Sequence, residues 1–337
     1  MVKGMRVLLL GGGGNLSSAC AVELQRRGYE VMLLTRGRSP LPPGFVTLTA
    51  DRRDAGGMRR ALAGRFPEVV INFIGYEVPE IELDHGLFAG RVRQYIFISS
   101  ATVYAKPPPR MPIREDDPLG NPYWDYAQKK LACERWLMER WRGERFPVTI
   151  VRPSHTYSER WIPNPVSSAG YAFAARLERG APVWVPDSGD QPWTLTWAGD
   201  FATGLAGLVG HEGALGEAFH ITSDEALSWR EIYRRIGEAV GVEPRVVPIP
   251  TEFICRVCPD MTGPLKGDKA HPAVFDNSKL RRFVPDFRCG VSFREGIRRS
   301  VAWLRAHPEA QRLDTSPVDR VMDAVLAAWQ GRSRQAV

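Results

Sequence analysis

Four consecutive glycines, Gly11 to Gly14, separate a short apolar run from a helical pattern. The run Arg6–Leu10 predicts a buried strand, and the apolar spacing from Ser17 to Gly28 predicts an amphipathic helix. Glycine lets the backbone approach a bound group, and the first turn of a helix offers N–H groups and a positive dipole end to a phosphate. The alternative is that the four glycines only form a tight turn between strand and helix and bind no ligand. The spacing Gly11, Gly14, Ser17 at this connection predicts a dinucleotide site.

Short apolar runs continue to alternate with helical patterns through the first half of the chain. The further predicted strands are 30–35, 45–50, 69–74, 94–100 and 147–152, and the predicted helices are 57–63, a short one between strands four and five, and 123–141. Asn121 is the expected cap of the last helix and Pro122 its first residue. Such alternation is typical of parallel βαβ units. It predicts an α/β fold with a Rossmann-like doubly wound parallel sheet over residues 1–152.

The second half of the chain lacks this regularity. From about Pro153 onward, proline, glycine and tryptophan become frequent. We expect residues 153–337 to form mostly a smaller C-terminal substrate-binding lobe, with a segment near 194–210 returning to the Rossmann sheet. The active cleft is then expected between the two parts.

The amino-acid composition limits the classes of function that we expect for this chain. The 337 residues carry 45 basic and 38 acidic side chains, a formal charge of +7, which favours anionic ligands. No apolar run approaches the roughly 18 residues that cross a bilayer, and the N-terminal residues lack a signal-peptide pattern. Five scattered cysteines indicate reduced thiols and a cytoplasmic location. We expect no metal, since the pair Cys255 and Cys258 has no second pair or nearby histidine pair and is better explained by packing.

The end of the second predicted strand indicates which nucleotide binds. Thr35-Arg36-Gly37-Arg38 contains no carboxylate to hold a ribose diol, and Arg36 suits a 2′-phosphate. The pattern favours NADP over NAD. The alternative is that Arg36 and Arg38 are solvated surface cations.

Three polar residues suggest proton chemistry at the carboxyl edge of the sheet. Tyr126 and Lys130 are four residues apart and share one helical face, where the ammonium favours the phenolate. Ser100 ends the fifth predicted strand and could hydrogen-bond a substrate oxygen, or only cap the strand end. Together they predict a Tyr acid/base with Ser and Lys partners.

This combination resembles the short-chain dehydrogenase/reductase superfamily, in its extended branch of NAD-dependent epimerase/dehydratase proteins, over roughly residues 5 to 300. The resemblance implies that Ser100, Tyr126 and Lys130 are catalytic. It implies a cofactor site formed by Gly11, Gly14, Asn15, Leu16, Arg36, Asp51, Arg52, Phe73, Ile74, Gly75 and Pro153. The segment Thr35-Arg36-Gly37 is more similar to the subgroup of chloroplast stem-loop-binding proteins than to the UDP-galactose epimerases. That subgroup includes RNA-binding members.

Several residues depart from the pattern of the family's nucleotide-sugar epimerases. His155 stands where many carry Asn, and Trp193 where many carry a diphosphate-binding Arg. Lys266 is a candidate replacement for a later phosphate-binding Arg. The role of His155 stays open between substrate binding, proton relay and structure. Five tryptophans could stack on a base or sugar or pack the core of the lobe: Trp124, Trp161, Trp184, Trp193 and Trp197.

The resemblance therefore implies an NAD(P)-dependent epimerase/dehydratase-type enzyme that transfers hydride at a hydroxyl or carbonyl carbon of a sugar-like, nucleotide-linked substrate. The alternatives are a net NADP-dependent reductase or dehydrogenase, and an RNA-binding protein of the same fold. We expect a small-molecule partner, no membrane and no principal role for nucleic acid, and we leave homodimerisation open.

Overall fold

A seven-stranded parallel sheet organises the protein, whose computed structural model describes residues 4–37, 41 and 43–335. In chain order the strands are β1 (Arg6–Leu10), β2 (Glu30–Thr35), β3 (Val46–Thr49), β4 (Val69–Asn72), β5 (Gln94–Ile98), β6 (Val148–Pro153), β7 (His155–Tyr157), β8 (Val183–Pro186), β9 (Pro192–Trp197), β10 (Ala218–Ile221), β11 (Ala226–Ser228) and β12 (Val246–Ile249). The large sheet has the order β10-β6-β5-β4-β1-β2-β3, and every neighbouring pair is parallel. The predicted α/β doubly wound sheet is confirmed.

Helices cover both faces of this sheet and also build a smaller lobe. Along the described chain they are α1 (Asn15–Arg26), α2 (Ala55–Leu62), α3 (Val78–Phe88), α4 (Asp125–Glu144), α5 (Ala172–Glu178), α6 (Ala198–Leu208), α7 (Trp229–Val240), α8 (Thr251–Val257), the single turn α9 (Thr262–Pro264), α10 (Ser278–Phe283), α11 (Phe293–Ala306) and α12 (Val318–Gln335). Helices α1, α2, α3, α4, α6 and α10 pack on the sheet, and α5, α7, α8, α11 and α12 contribute to the core of the smaller lobe. Because side chains alternate along a strand, Val7 and Leu9 of β1 pack with α1 and α6 on one face. Leu8 and Leu10 pack with α2, α3 and α4 on the other. The strands are therefore apolar on both faces, as buried parallel strands require.

A smaller lobe lies beyond the carboxyl edge of the sheet. It contains the three-stranded sheet β11-β9-β7 and the two-stranded sheet β12-β8. Its own apolar core includes Trp184, Trp193 and Trp229. Helix α7 begins with a capping box, in which the Ser228 hydroxyl accepts from the Glu231 N–H and the Glu231 carboxylate accepts from the Ser228 N–H.

The chain returns to the large sheet after its first passage through this lobe. Helix α6 packs against α1, and β10 pairs with β6 at the edge of the sheet. We propose a division into residues 1–152 and a second lobe, with the returning segment running from Ala198 to Ile221 rather than over 194–210.

Two connections differ from the predicted ones. Helix α3, expected to be short, has 11 residues and three full turns. Helix α4 begins at Asp125, not at Pro122. Trp124, not Asn121, holds the N-cap position of α4. The Asn121 Oδ1 accepts from the Tyr123 N–H at 3.1 Å ahead of the helix. Its Nδ2 donates to the backbone oxygens of Thr102 at 2.8 Å and Gly267 at 2.6 Å. Asn121 thus ties the loop after β5 to the second lobe, and the helix starts only after this contact.

Neither membrane nor metal binding is indicated by the described parts of the chain. No helix there combines the length and apolar character needed to cross a bilayer. No cluster of three or more His, Cys, Asp or Glu side chains in residues 4–37, 41 and 43–335 is placed to ligate a metal. Cys255 is buried in the core of the second lobe, and the half-buried Cys258 packs against it.

Candidate active site

A cavity of about 770 Å³ lies at the carboxyl edge of the sheet, above β1. Its floor is the glycine turn between β1 and α1, and the ends of β2, β4, β5 and β6 supply its walls. Open parallel sheets bind ligands at this edge, where the strand order reverses, because the connections on either side diverge there.

Gly11 makes the turn from β1 into α1 possible. Its φ of +91° is in the left-handed region, and a Cβ added there would lie 2.9 Å from Cγ2 of Ile74. Its N–H donates to the Leu34 backbone oxygen at 2.9 Å. The Gly14 N–H donates to the Ser17 hydroxyl oxygen at 3.0 Å, so the serine at the third position of the spacing closes the first turn of α1. All four glycines, Gly11 to Gly14, line the cavity. Because glycine has no side chain, a ligand there can approach the backbone closely.

Two polar atoms in this cavity are buried without a partner. They are Oδ1 of Asn15, at the start of α1, and the hydroxyl of Ser99, at the end of β5. Buried polar atoms are normally hydrogen-bonded, and an unpaired one at a cavity wall needs a ligand or water. The cavity therefore fits a long polar ligand with an anionic centre over the glycine turn, as a dinucleotide has.

Most of the predicted cofactor residues line this cavity. The list comprises Gly11, Gly14, Asn15, Leu16, Arg36, Asp51, Arg52, Phe73, Ile74 and Pro153. Arg36 is exposed and forms no ion pair or hydrogen bond with the residues that the structure describes, so its guanidinium is available to an anion. Arg38 lies outside the described residues.

Two of the predicted cofactor residues have structural partners instead. Gly75 is not part of the cavity wall, and a Cβ there would lie 2.8 Å from both Nδ2 of Asn72 and Cδ1 of Ile81. Arg52 reaches the wall, but its guanidinium donates to the buried Asp84 carboxylate at 2.9 Å and to Oδ1 of Asn72 at 3.3 Å. Burial is the largest influence on Asp84 and raises the pKa of its carboxyl to about 6, although Arg52 opposes the rise. The cofactor role that the resemblance implies for Gly75 stays a prediction.

Ser100 is held by its neighbour Thr102. The Ser100 hydroxyl oxygen accepts from the Thr102 N–H at 3.2 Å and from the Thr102 hydroxyl at 2.9 Å, and it caps a 3₁₀ turn at Ala101–Val103. With both lone pairs of Ser100 engaged, its own hydrogen is free to point elsewhere. The capping role and the donor role, which the sequence left as alternatives, are compatible in this geometry.

Lys130 is buried and anchored to two strand ends. Its ammonium donates to the backbone oxygens of Gly75 at 2.7 Å and Ile98 at 2.8 Å, and it lies 4.7 Å from the ring centre of Tyr76. Burial is the main cause that lowers the pKa of Lys130 to about 8. An ammonium has three donors, so one remains for a ligand in the cavity that Lys130 lines.

Tyr126 lies between the rings of Tyr76 and Trp124, at centroid distances of 6.2 and 5.1 Å. Burial raises the pKa of its phenol well above the usual value, Tyr76 raises it further, and a hydrogen bond with Ser100 lowers it in part. The sequence predicted a pKa lowered by Lys130. In the structure Lys130 is turned towards the two strand carbonyls, and burial dominates.

A second cavity, of about 410 Å³, shares six wall residues with the first: Ser100, Tyr126, Pro153, Ser154, Thr156 and Trp161. Its remaining wall comes from the second lobe and the loops that reach it, and includes Trp124, Trp193, Phe275 and Lys269. The two cavities therefore meet at the proposed acid/base group. A ligand in one cavity can touch a ligand in the other beside Ser100 and Tyr126.

His155 lines the second cavity and is neutral. Burial, followed by the charge of Lys269, lowers the pKa of its imidazole to about 3. Its Nε2 forms a hydrogen bond of 2.9 Å with the Ser168 hydroxyl. This arrangement fits a positioning role better than a proton relay near neutral pH.

Sequence reasoning missed several residues of these cavities. Tyr76, Thr102, Thr156 and Lys269 were not singled out, although each lines one cavity or both. Only Tyr76 and Thr102 carried a signal, since each follows a buried strand within four residues. Lys266, a candidate phosphate ligand, pairs with Glu252 at 2.6 Å and is not part of either cavity wall.

Comparison with known proteins adds family evidence. Residues 81–222 match the model of the NAD dependent epimerase/dehydratase family. The 2′-dehydrokanamycin reductase of Streptomyces kanamyceticus is 27% identical over 286 residues, which cover 84% of this chain and 80% of that protein. Chloroplast stem-loop binding protein of 41 kDa b from Arabidopsis thaliana is 29% identical over 267 residues, covering 74% of this chain and 67% of that protein.

A solved structure agrees with the fold. The UDP-glucose 4-epimerase of Thermus thermophilus in complex with NAD superposes with a TM-score of 0.69 and 25% sequence identity. The match covers 90% of this chain and all (100%) of that one.

Proposed function

We propose that this chain, which belongs to the NAD-dependent epimerase/dehydratase family, transfers hydride at a hydroxyl or carbonyl carbon of a sugar-like substrate. The observation that carries the proposal is the junction of the two cavities at Ser100 and Tyr126. The larger cavity has the glycine turn that suits a dinucleotide, and the smaller one has room for a substrate. Acid/base chemistry at their junction requires a group with a transferable proton, which Tyr126 supplies.

The side chains divide the work at the junction. Ser100 donates a hydrogen bond to the substrate oxygen, because both of its lone pairs are engaged by Thr102. Tyr126, whose raised pKa keeps it protonated near neutral pH, gives a proton to a carbonyl oxygen that becomes a hydroxyl. In the reverse direction it takes that proton from the hydroxyl. When bound, the nicotinamide accepts or donates the hydride that no side chain of this chain can carry.

The cofactor would be held from four sides. The glycine turn faces its diphosphate, and Lys130 has one remaining donor for a ribose hydroxyl. Arg36, which is exposed and has no partner in the described part of the chain, supports NADP over NAD, since only NADP offers a 2′-phosphate. Asn15 and Ser99 contribute unpaired polar atoms to the same cavity.

Net reduction is a second candidate outcome, and one observation favours it: the exposed Arg36 on the cavity wall suits NADP. In an epimerase or dehydratase the hydride instead returns to the substrate within one cycle. The same Ser, Tyr and Lys set serves both outcomes.

RNA binding receives less support. The sequence has paired arginines on helix faces, but Arg234 is bonded to Glu238, Arg281 to Asp224 and Arg299 to Glu295. Cations that are already paired offer less to a phosphate backbone than a free basic stripe would.

The test combines cofactor binding with turnover. NADP⁺ and NAD⁺ are titrated into the wild type and into Tyr126→Phe, and both proteins are then assayed with UDP-glucose, dTDP-glucose and unlinked hexosides. We expect Tyr126→Phe to bind the cofactor normally and to lose turnover, since it lacks only the transferable proton. Product formed at constant absorbance of reduced nicotinamide identifies an epimerase or dehydratase. A stoichiometric gain, as hydride passes from the hydroxyl substrate to the oxidised nucleotide, identifies net redox chemistry, which is the reductase reaction run in reverse. Full activity of Tyr126→Phe would contradict the proposal.

A further inference from the structure

The second cavity has features that specify its ligand beyond a sugar-like ring, and the argument rests on the function proposed above. Two residues of its wall, Trp193 and Thr194, are almost fully buried on β9. Among the described residues, the indole Nε1 of Trp193 and the hydroxyl of Thr194 have no hydrogen-bond partner. A buried polar atom without a partner is costly, and a ligand group that reached either atom would satisfy it.

The positive and negative side chains that line this cavity balance each other. Among the described residues that line it, Lys269 is the only Lys or Arg and Asp268 the only Asp or Glu. Their side chains pair with each other at 3.3 Å, and the Lys269 ammonium lies 5.5 Å from the ring centre of Trp124. The imidazole of His155 is neutral, as described above. A diphosphate placed here would therefore meet no unpaired cation in the cavity wall, and burying a charge without a partner is expensive. Burial lowers the pKa of the nearby Lys106, and the charges of Asp268 and Lys269 act on it in opposite directions, but Lys106 is not part of this wall.

The rest of the wall suits a ring with apolar faces and a polar rim. Trp124, Trp161, Trp193 and Phe275 present aromatic surface, and Ser167 and Ser168 lie among them. The C–H faces of a pyranose or cyclitol pack on such surface, while its hydroxyls need donors and acceptors at the edges. The unpaired atoms of Trp193 and Thr194 supply one donor and one donor/acceptor.

We propose that the substrate of this cavity is an unphosphorylated polyhydroxylated ring, such as an unlinked glycoside, and not a sugar carried on a nucleoside diphosphate. This differs from the nucleotide-linked substrate expected from the sequence resemblance. The difference arises because the cavity offers unpaired hydrogen-bonding atoms but no unpaired cation.

The first test measures ligand preference by binding, without turnover. Protein saturated with NADP⁺, so that nucleotides cannot enter the cofactor cavity, is titrated with UDP, UDP-glucose and a panel of methyl hexosides and disaccharides. We expect at least one unlinked glycoside to bind, and UDP-glucose to bind no more tightly than it. A UDP-glucose affinity more than tenfold higher, with UDP competing, would overturn the proposal, as would a panel in which no unlinked glycoside binds.

A charge variant tests the reason for that preference. Asp268→Asn releases Lys269 from its ion pair and gives the cavity a net positive charge. We expect UDP-glucose to gain at least fivefold in affinity, with a gain that shrinks as salt is added. Asp260→Asn, an exposed acid outside the cavity, is the matched control and should change nothing. Equal behaviour of the two variants would overturn the electrostatic argument.

A hydroxyl variant tests the unpaired atoms. Thr194→Val keeps the side-chain shape, so it should raise the melting temperature of the ligand-free protein and weaken glycoside binding severalfold. The control is Thr196→Val on the same strand, whose hydroxyl is bonded to Ser154 at 2.8 Å and to the Ser223 N–H at 2.9 Å. That variant should lower the melting temperature. Unchanged glycoside binding by Thr194→Val would contradict a ligand role for this hydroxyl.

The proposed function can fail separately from this inference. Loss of cofactor binding or of hydride transfer would be seen in the absorbance assay whichever ring binds. The binding titrations instead report the second cavity alone.

Discussion

The cavity over the glycine turn and the cavity between the tryptophans differ in the atoms that form their walls. Around the first, the glycine turn brings backbone into the wall, and carbonyls of Gly75 and Ile98 hold Lys130. Around the second, side chains dominate, with aromatic rings and a closed Asp268–Lys269 pair. A substitution away from the glycines therefore leaves the backbone wall of the first cavity in place, whereas a substitution in the second cavity changes the wall itself.

The largest effect is expected at Lys130, where the backbone-lined cavity depends on one side chain. Lys130→Met should reduce turnover by about 10²–10⁴-fold. It should also lower the free energy of unfolding by about 1–3 kcal/mol, because the carbonyls of Gly75 and Ile98 lose their donor. Denaturant unfolding and steady-state assays measure the two quantities.

The neighbouring Lys129→Met is the control for that experiment. Lys129 is exposed and pairs with Glu77 at 2.8 Å and with Asp125 at 3.2 Å. An exposed pair contributes about 0–1 kcal/mol, so both readouts should hardly change. Equal destabilisation by the two variants would mean that the carbonyl anchors of Lys130 do not stabilise the cavity.

Gly11→Ala should damage the same cavity through its backbone. The alanine would adopt an unfavourable φ near +91° and place a Cβ 2.9 Å from Ile74, which lines the cavity. We expect a loss of about 1–2 kcal/mol in stability and a cofactor affinity about tenfold lower. Isothermal titration with NADP⁺ measures the affinity. Gly86→Ala in helix α3, where an added Cβ contacts nothing within 4 Å, should be neutral or stabilising.

Thr102→Val tests the junction of the two cavities. The substitution removes the 2.9 Å hydrogen bond from the Thr102 hydroxyl to Ser100 and keeps the one from the backbone N–H. Since one hydrogen bond contributes about 0.5–1.5 kcal/mol, kcat should fall by roughly 5- to 10-fold. The Kd for NADP⁺ should stay constant. A fall in cofactor affinity with unchanged kcat would assign Thr102 to the first cavity instead.

The smallest effect is expected at Arg36, on the exposed rim of the first cavity. Arg36→Ala should weaken NADP⁺ binding by about fivefold and leave NAD⁺ binding unchanged, because an exposed charge pair contributes at most about 1 kcal/mol. Competitive titration of the two nucleotides gives the ratio. Arg53→Ala, which removes a cavity-lining arginine bonded to Glu80 at 3.3 Å, is the control and should affect both nucleotides alike. Equal losses in Arg36→Ala would assign that residue to structure.

The same contrast between local and distant contacts explains which of the expectations from the sequence the structure confirmed. The strands of the sheet and the turn at Gly11 follow from local patterns: apolar runs, helix periodicity and glycine spacing within about 30 residues. The predicted start of α4 was wrong, because the Asn121 Oδ1 accepts from the Tyr123 N–H ahead of the helix and its Nδ2 holds the backbone oxygen of Gly267, 146 residues away. The cofactor role implied for Gly75 stays a prediction, and its carbonyl oxygen holds Lys130.

The sequence by itself determined the doubly wound sheet, the glycine turn above β1 and the order of Ser100, Tyr126 and Lys130 along the chain, because each depends on residues close in sequence. Only the tertiary structure decided the partners of those residues. Lys130 is turned to two strand carbonyls, and Tyr126 is buried enough to raise its pKa. It also decided that the adjacent Asp268 and Lys269 line the same cavity as Trp193, since only packing of the second lobe brings the segment that carries this pair to β9. Charge and burial at such a junction are sums over distant neighbours, and no local pattern encodes them.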